Sequence, residues 1–102
     1  MGRSQEKTQV IPMSEYAISL THRAEKGIIS LDKDTQERIR EAIDTLKTNP
    51  VPKLEYDVTK LSGRDSDYRI RIGWYRIQYT VNWSEKYIEV FDIDRKKDRS
   101  YN

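Results

Sequence analysis

Two stretches of strict alternation, Tyr68-Arg69-Ile70-Arg71-Ile72 and Tyr75-Arg76-Ile77-Gln78-Tyr79-Thr80-Val81, flank the dipeptide Gly73-Trp74. A period of two places every second side chain on one face of a strand, and glycine readily takes the positive φ of a two-residue turn. The pattern therefore predicts an antiparallel hairpin. Symmetry about Gly73-Trp74 sets Tyr68 opposite Tyr79, Ile70 opposite Ile77 and Ile72 opposite Tyr75 on one face. The other face then carries Arg71 opposite Arg76 and Arg69 opposite Gln78. A sheet with one apolar face needs something to cover it.

The N-terminal half supplies the cover. Tyr16, Ile18 and Leu20 alternate in a short strand, after which Thr21 can cap a helix running to about Leu31. Ala24, Ile28 and Leu31 make its apolar side, and Gly27 weakens it. A second helix, from about Asp34 to Thr48 with Asp32 or Asp34 as cap, stacks Ile39, Ala42, Ile43 and Leu46 in one stripe. Asn49-Pro50-Val51-Pro52 ends it, because proline removes a donor and pushes its predecessor toward extended geometry. A connecting segment to about Asp67 follows. After the hairpin, a third strand over about Lys86 to Asp94 has ambiguous faces, and the tail from Arg95 to Asn102 is basic. The predicted fold class is α+β: one small domain in β-α-α-β-β-β order, an antiparallel meander sheet with two helices on one face. Residues 1–12 lack periodicity and are expected to be a flexible extension, with residues 13–102 forming the domain.

The chain has 102 residues, only 35% of them hydrophobic, so the core must be thin and must use some of the seven tyrosines. Cysteine is absent, which excludes disulfides, thiolate nucleophiles and zinc-thiolate sites. His22 is the single histidine, expected at the surface, so histidine pairs and clusters are excluded too. Glu85, Asp92 and Asp94 would hold a metal only by accident of packing, and no metal or other cofactor is expected. No apolar run approaches the roughly 18 residues of a membrane span, and no apolar leader precedes the domain, so the expected location is the cytoplasm.

The net charge of +2 is too small to argue from; the local placement says more. Like charges directly opposite one another destabilise a strand pair, so three arginines on one sheet face call for an anion or a purely solvated surface. Arginine offers a fixed fork suited to phosphate oxygens and stays charged at ordinary pH. Arg95, Lys96, Lys97 and Arg99 extend the positive region, and Tyr101 offers a ring on which an unstacked base can lie. Trp74 and Trp83 fall at hairpin turns, where an indole most often packs over the turn.

The run from Arg71 to Val81 resembles the Arg-x-Gly-x-Tyr-Arg-x-x-Tyr segment of the RelE/ParE toxin superfamily. Lys60-Leu61-Ser62-Gly63 is similar to that family's Lys-Leu-x-Gly turn, and Tyr68-Arg69-Ile70-Arg71 to the basic strand of its ribosome-dependent mRNA interferases. The resemblance spans about Met13 to Tyr101. It implies the toxin of a type II toxin-antitoxin pair, partnered by an antitoxin, the ribosome and mRNA, and needing no small-molecule cofactor or membrane. The implied reaction is attack of a 2′-hydroxyl on its own phosphate, giving a 2′,3′-cyclic phosphate and a free 5′-hydroxyl.

On this resemblance Arg69, Arg71 and Arg76 bind the scissile phosphate, Tyr101 stacks on the base and accepts the 2′-hydroxyl proton, and Arg95 stabilises the leaving 5′ oxygen. Lys60, Lys96, Lys97 and Arg99 are the implied RNA-binding residues. The sequence departs from the bacterial pattern in having arginine where lysine often stands at 69 and 71, and an arginine is a poor base. Two other readings stand beside this one: a ParE-like toxin that inhibits DNA gyrase without cutting RNA, and a non-catalytic RNA-binding domain.

Overall fold

The computed structural model describes residues 15–63 and 65–95. The expected leading extension, residues 1–12, lies outside them. The elements are β1 (Ala17–Leu20), α1 (His22–Ile29), α2 (Lys33–Leu46), β2 (Asp57–Lys60), β3 (Asp67–Ile72), β4 (Tyr75–Asn82) and β5 (Tyr87–Arg95). The five strands form one sheet in the order β1-β5-β4-β3-β2, with β1 parallel to β5 and the other pairs antiparallel.

The hairpin has the register read from its symmetry: Tyr68 pairs with Tyr79, Ile70 with Ile77, Ile72 with Tyr75, Arg69 with Gln78 and Arg71 with Arg76. Gly73 has φ +59°, and Trp74 is not among the positive-φ residues, which matches a turn with glycine at its first central position. The expected three-strand meander has a fourth member. Residues 57–60 extend it as an edge strand, where a connecting segment was expected, because four residues with only Val58 apolar leave almost no alternation to detect.

Both helices start where their caps direct. Thr21 accepts the Ala24 N–H at 3.1 Å and donates to the Phe91 carbonyl at 3.1 Å, so one hydroxyl opens α1 and ties it to β5. Asp32 caps α2, and hydrogen bonding from Thr35 holds its carboxyl below the usual range. Gly27 has a packing reason for being in α1. A Cβ there would collide with the Ile93 carbonyl oxygen, so the residue that lowers helical propensity also lets α1 lie directly on β5.

One core joins the helices to the covered face of the sheet. It contains Ala24 and Ile28 of α1, Ile39, Ala42, Ile43 and Leu46 of α2, and the inward residues of β3, β4 and β5. Tyrosine fills the volume that aliphatic residues leave. Tyr68 and Tyr79 stack with centroids 5.7 Å apart, and the buried Tyr79 donates its hydroxyl to the Pro50 carbonyl at 2.7 Å. Burial, with Tyr68 nearby, pushes the Tyr79 phenol well above its ordinary pKa.

The ambiguity of the last strand is resolved by a β-bulge. Val90 pairs with Tyr79 but Asp92 pairs with Gln78, so Phe91 is the extra residue. The bulge reverses which parity faces the core. Ile88 and Val90 point inward before it, and Ile93 points inward after it.

Candidate nucleic-acid interface

Strand alternation builds the open face in rows that cross four strands. One row is Asp57-Arg71-Arg76-Asp94 and the next is Thr59-Arg69-Gln78-Asp92, each on β2, β3, β4 and β5 in turn. A third position pairs the buried Asp67 with Thr80, whose hydroxyl donates to the carboxylate at 2.7 Å. Arg69, Arg71 and Arg76 therefore share one face, as the hairpin register predicted.

Their charges are not equally available. The Arg76 fork closes on Asp94 through two contacts, Nε to Oδ1 at 3.2 Å and Nη2 to Oδ2 at 2.9 Å. This is a bidentate, partly buried pair, the strongest common geometry for these groups. Arg71 meets Asp57 only at 3.9 Å, and both side chains are well exposed. Arg69, half-buried, has no ion pair with a described residue, and the acid in its row, Asp92, is held instead by Arg23 of α1 at 3.2 Å. Neutralisation is thus nearly complete at Arg76, weak at Arg71 and absent at Arg69 among the described residues.

This geometry adds a third answer to the two expected for the facing arginines, an anion or a purely solvated surface. The Arg71–Arg76 repulsion is relieved from within the chain, by Asp57 on β2 and Asp94 on β5. Two other expected site residues do not join the cluster. Arg95 pairs with Tyr75, so the bulge carries its position to the helix side of the sheet, where it borders a cleft of about 240 Å³ with Gly27, Leu31 and Ile93. Lys60 pairs with Tyr68 and is likewise at a helix-side position, on the exposed edge strand. Lys96, Lys97, Arg99 and Tyr101 lie outside the described residues.

Asp57 and Asp94 are the functional-face residues that sequence reasoning missed. Asp57 sits in the unrecognised strand. Asp94 reaches the open face only because Phe91 is bulged; unbroken alternation would have put Arg95 there in its place. Among the described residues there is no group of three or more acidic or histidine side chains placed to hold a metal ion, and no helix long and apolar enough to cross a membrane.

Comparison with known proteins agrees on one relationship. The profile of the ParE toxin of the type II toxin-antitoxin system matches residues 18–99. A protein of Methanocaldococcus jannaschii that carries the toxin name RelE1 is 36% identical over 83 residues, 81% of this chain and 92% of that one. In the crystal structure of the archaeal RelE-RelB complex from Pyrococcus horikoshii OT3, the matched chain superposes with a TM-score of 0.75 at 34% identity, covering 84% of this chain and 99% of its own length. The isolated E. coli RelE toxin shares the fold, with a TM-score of 0.71 at 20% identity over 83% of this chain and 88% of that one.

Proposed function

Since the chain belongs to the RelE/ParE toxin family of type II toxin-antitoxin systems, we propose that it is a RelE-type endoribonuclease acting on mRNA in the ribosomal A site. The observation that carries this reading is the pair Arg69 and Arg71, two residues apart on β3 and on the same open face, with Arg69 making no ion pair with a described residue. In the proposed reaction the 2′-hydroxyl loses its proton and attacks the adjacent phosphorus. The bond to the 5′ oxygen breaks, and that oxygen leaves with a proton as a free hydroxyl. Arg69 and Arg71 hold the non-bridging oxygens and stabilise the charge that develops on them.

Arg76 plays a smaller part here than its place in the motif implies. Asp94 occupies its Nε and Nη2, which leaves Nη1 for a phosphate oxygen and cancels most of its charge at distance. Tyr101 stacks on the base and takes the 2′-hydroxyl proton, while Lys96, Lys97 and Arg99 grip the neighbouring backbone. Arg95 acts on the leaving oxygen only if the chain brings it round from the helix side. The ribosome orients the nucleotide, so much of the acceleration comes from positioning. An antitoxin protein is the proposed partner in the resting cytoplasm.

A second reading draws on the Arg76–Asp94 pair itself: a face whose arginines are matched by carboxylates suits protein contacts, as in a ParE-like gyrase inhibitor. One experiment separates them. The purified chain is added to ribosomes programmed with a defined message, and the message ends are mapped. Cuts in the A-site codon bearing cyclic phosphate and 5′-hydroxyl ends are expected. Intact message together with loss of gyrase supercoiling reverses the assignment.

A further inference from the structure

The chain has two tryptophans, one at each turn of the β3-β4-β5 meander, and their surroundings differ. Trp83, at the β4–β5 turn, is engaged: the Tyr16 ring meets it edge-on with centroids 6.0 Å apart, and Lys86 sits 5.2 Å over Tyr16. Trp74, at the β3–β4 turn, is 61% exposed and makes no ring contact with a described residue. Turn chemistry does not ask for it, because Gly73 supplies the positive φ and its neighbour needs no particular side chain. A large ring left in water forgoes the burial that would stabilise the fold, so its placement calls for another occupant.

Cationic groups gather at the same end of the molecule. Arg71 lies one residue beyond the Ile72–Tyr75 pair that closes the turn, beside Arg76, whose fork is closed on Asp94. On the other side, α2 brings the Arg38 guanidinium over Gly73, with its two terminal nitrogens 3.7 and 3.8 Å from where a Cβ would stand. Arg38 makes no ion pair with a described residue, although Glu41, Glu55 and Asp57 line the cleft it shares with Arg71. An exposed ring with guanidiniums on both flanks is the chemistry that holds an unpaired base by its face and the adjoining phosphates by charge. A hydrophobic protein segment would cover the ring but would gain nothing from those charges.

We propose that Trp74 is a base-stacking residue for single-stranded RNA and that Arg38 binds the phosphate next to the stacked base, extending the path that starts at Arg69 and Arg71. The inference rests on the RNA-cleaving reading above, and the test keeps the two apart. In the Trp83→Phe variant Trp74 is the sole tryptophan, so its fluorescence reports the turn directly. Titration with a single-stranded RNA oligonucleotide at low salt is expected to quench that emission saturably. Trp74→Ala is expected to weaken binding about tenfold, with Trp74→Phe recovering much of the loss. Arg38→Ala is expected to weaken binding and to lower its salt dependence.

RNA binding that persists with unchanged Trp74 emission overturns the stacking role while leaving the nuclease reading intact. Absence of RNA binding by the unaltered chain, with message uncut on programmed ribosomes, overturns both. Emission changes produced by the antitoxin and never by RNA would assign the turn to the protein partner, contrary to the proposal.

Discussion

The two faces of the sheet are made by alternate residues of the same strands, yet they obey different rules. On the covered face the row Val58-Ile70-Ile77-Ile93 is held by removal from water, which any apolar neighbour can satisfy. On the open face the row Asp57-Arg71-Arg76-Asp94 depends on which charge stands beside which, and that is set by strand order and by one bulge. The lesson is that a cluster of arginines counted along a strand is not yet a cluster of available charge. Arg76 is spoken for, and among the described residues Arg69 is the guanidinium of the three without a carboxylate partner.

The sharpest contrast between the faces is energetic. Ile77→Ala, at a fully buried position, is expected to cost about 2–5 kcal/mol and to lower Tm by roughly ten degrees or more. A loss within about 0.5 kcal/mol, as for a surface substitution, would break the distinction. Calorimetry on the purified domain reads it directly.

Tyr79→Phe probes a polar group buried on the covered face. Losing the hydroxyl leaves the Pro50 carbonyl unpaired and is expected to cost about 1 kcal/mol near neutral pH. The pH dependence is the more specific signature. The folded phenol has a raised pKa, so its stabilisation is fully present below about pH 10, where an unfolded tyrosine begins to ionise. As pH rises further, the unfolded chain gives up a proton that the folded chain keeps, and stability falls by up to about 1.4 kcal/mol per pH unit. The Phe variant should show a flatter alkaline limb in denaturant titrations; an unchanged slope refutes the account of Tyr79.

Smaller effects grade the open face. A double-mutant cycle on Arg76 and Asp94 is expected to give a coupling of about 0.5–1 kcal/mol, since both side chains keep some contact with water. The same cycle on Arg71 and Asp57 is expected to give less than about 0.3 kcal/mol, given the 3.9 Å separation and the exposure. Equal couplings would mean that the two carboxylates neutralise their partners alike.

The central hairpin of the covered face and the helices packed on it were legible in the sequence. The hairpin register followed from symmetry about Gly73-Trp74, the stripe Ile39, Ala42, Ile43 and Leu46 identified the second helix, Thr21 was readable as a cap, and the second cap was narrowed to Asp32 or Asp34, of which Asp32 serves. Hydrophobic periodicity carries that information residue by residue. What stayed hidden depends on neighbours distant in the chain. Strand β2 has one apolar residue, its pairing with β3 is what brings Asp57 to Arg71, and the parallel placement of β1 beside β5 leaves no local trace. The bulge at Phe91 decided the rest, removing Arg95 from the open face and delivering Asp94 to it in one step. The unequal availability of the three arginines was therefore not readable from their spacing.

The ranking of two substitutions on programmed ribosomes tests the central claim most directly. Arg69→Ala is expected to lower the rate of message cleavage about 100-fold, with Tm changed by no more than a few degrees, while Arg76→Ala lowers the rate tenfold or less. Cleavage undiminished in Arg69→Ala, or a larger loss at Arg76 than at Arg69, would contradict the assignment of the working charge to Arg69.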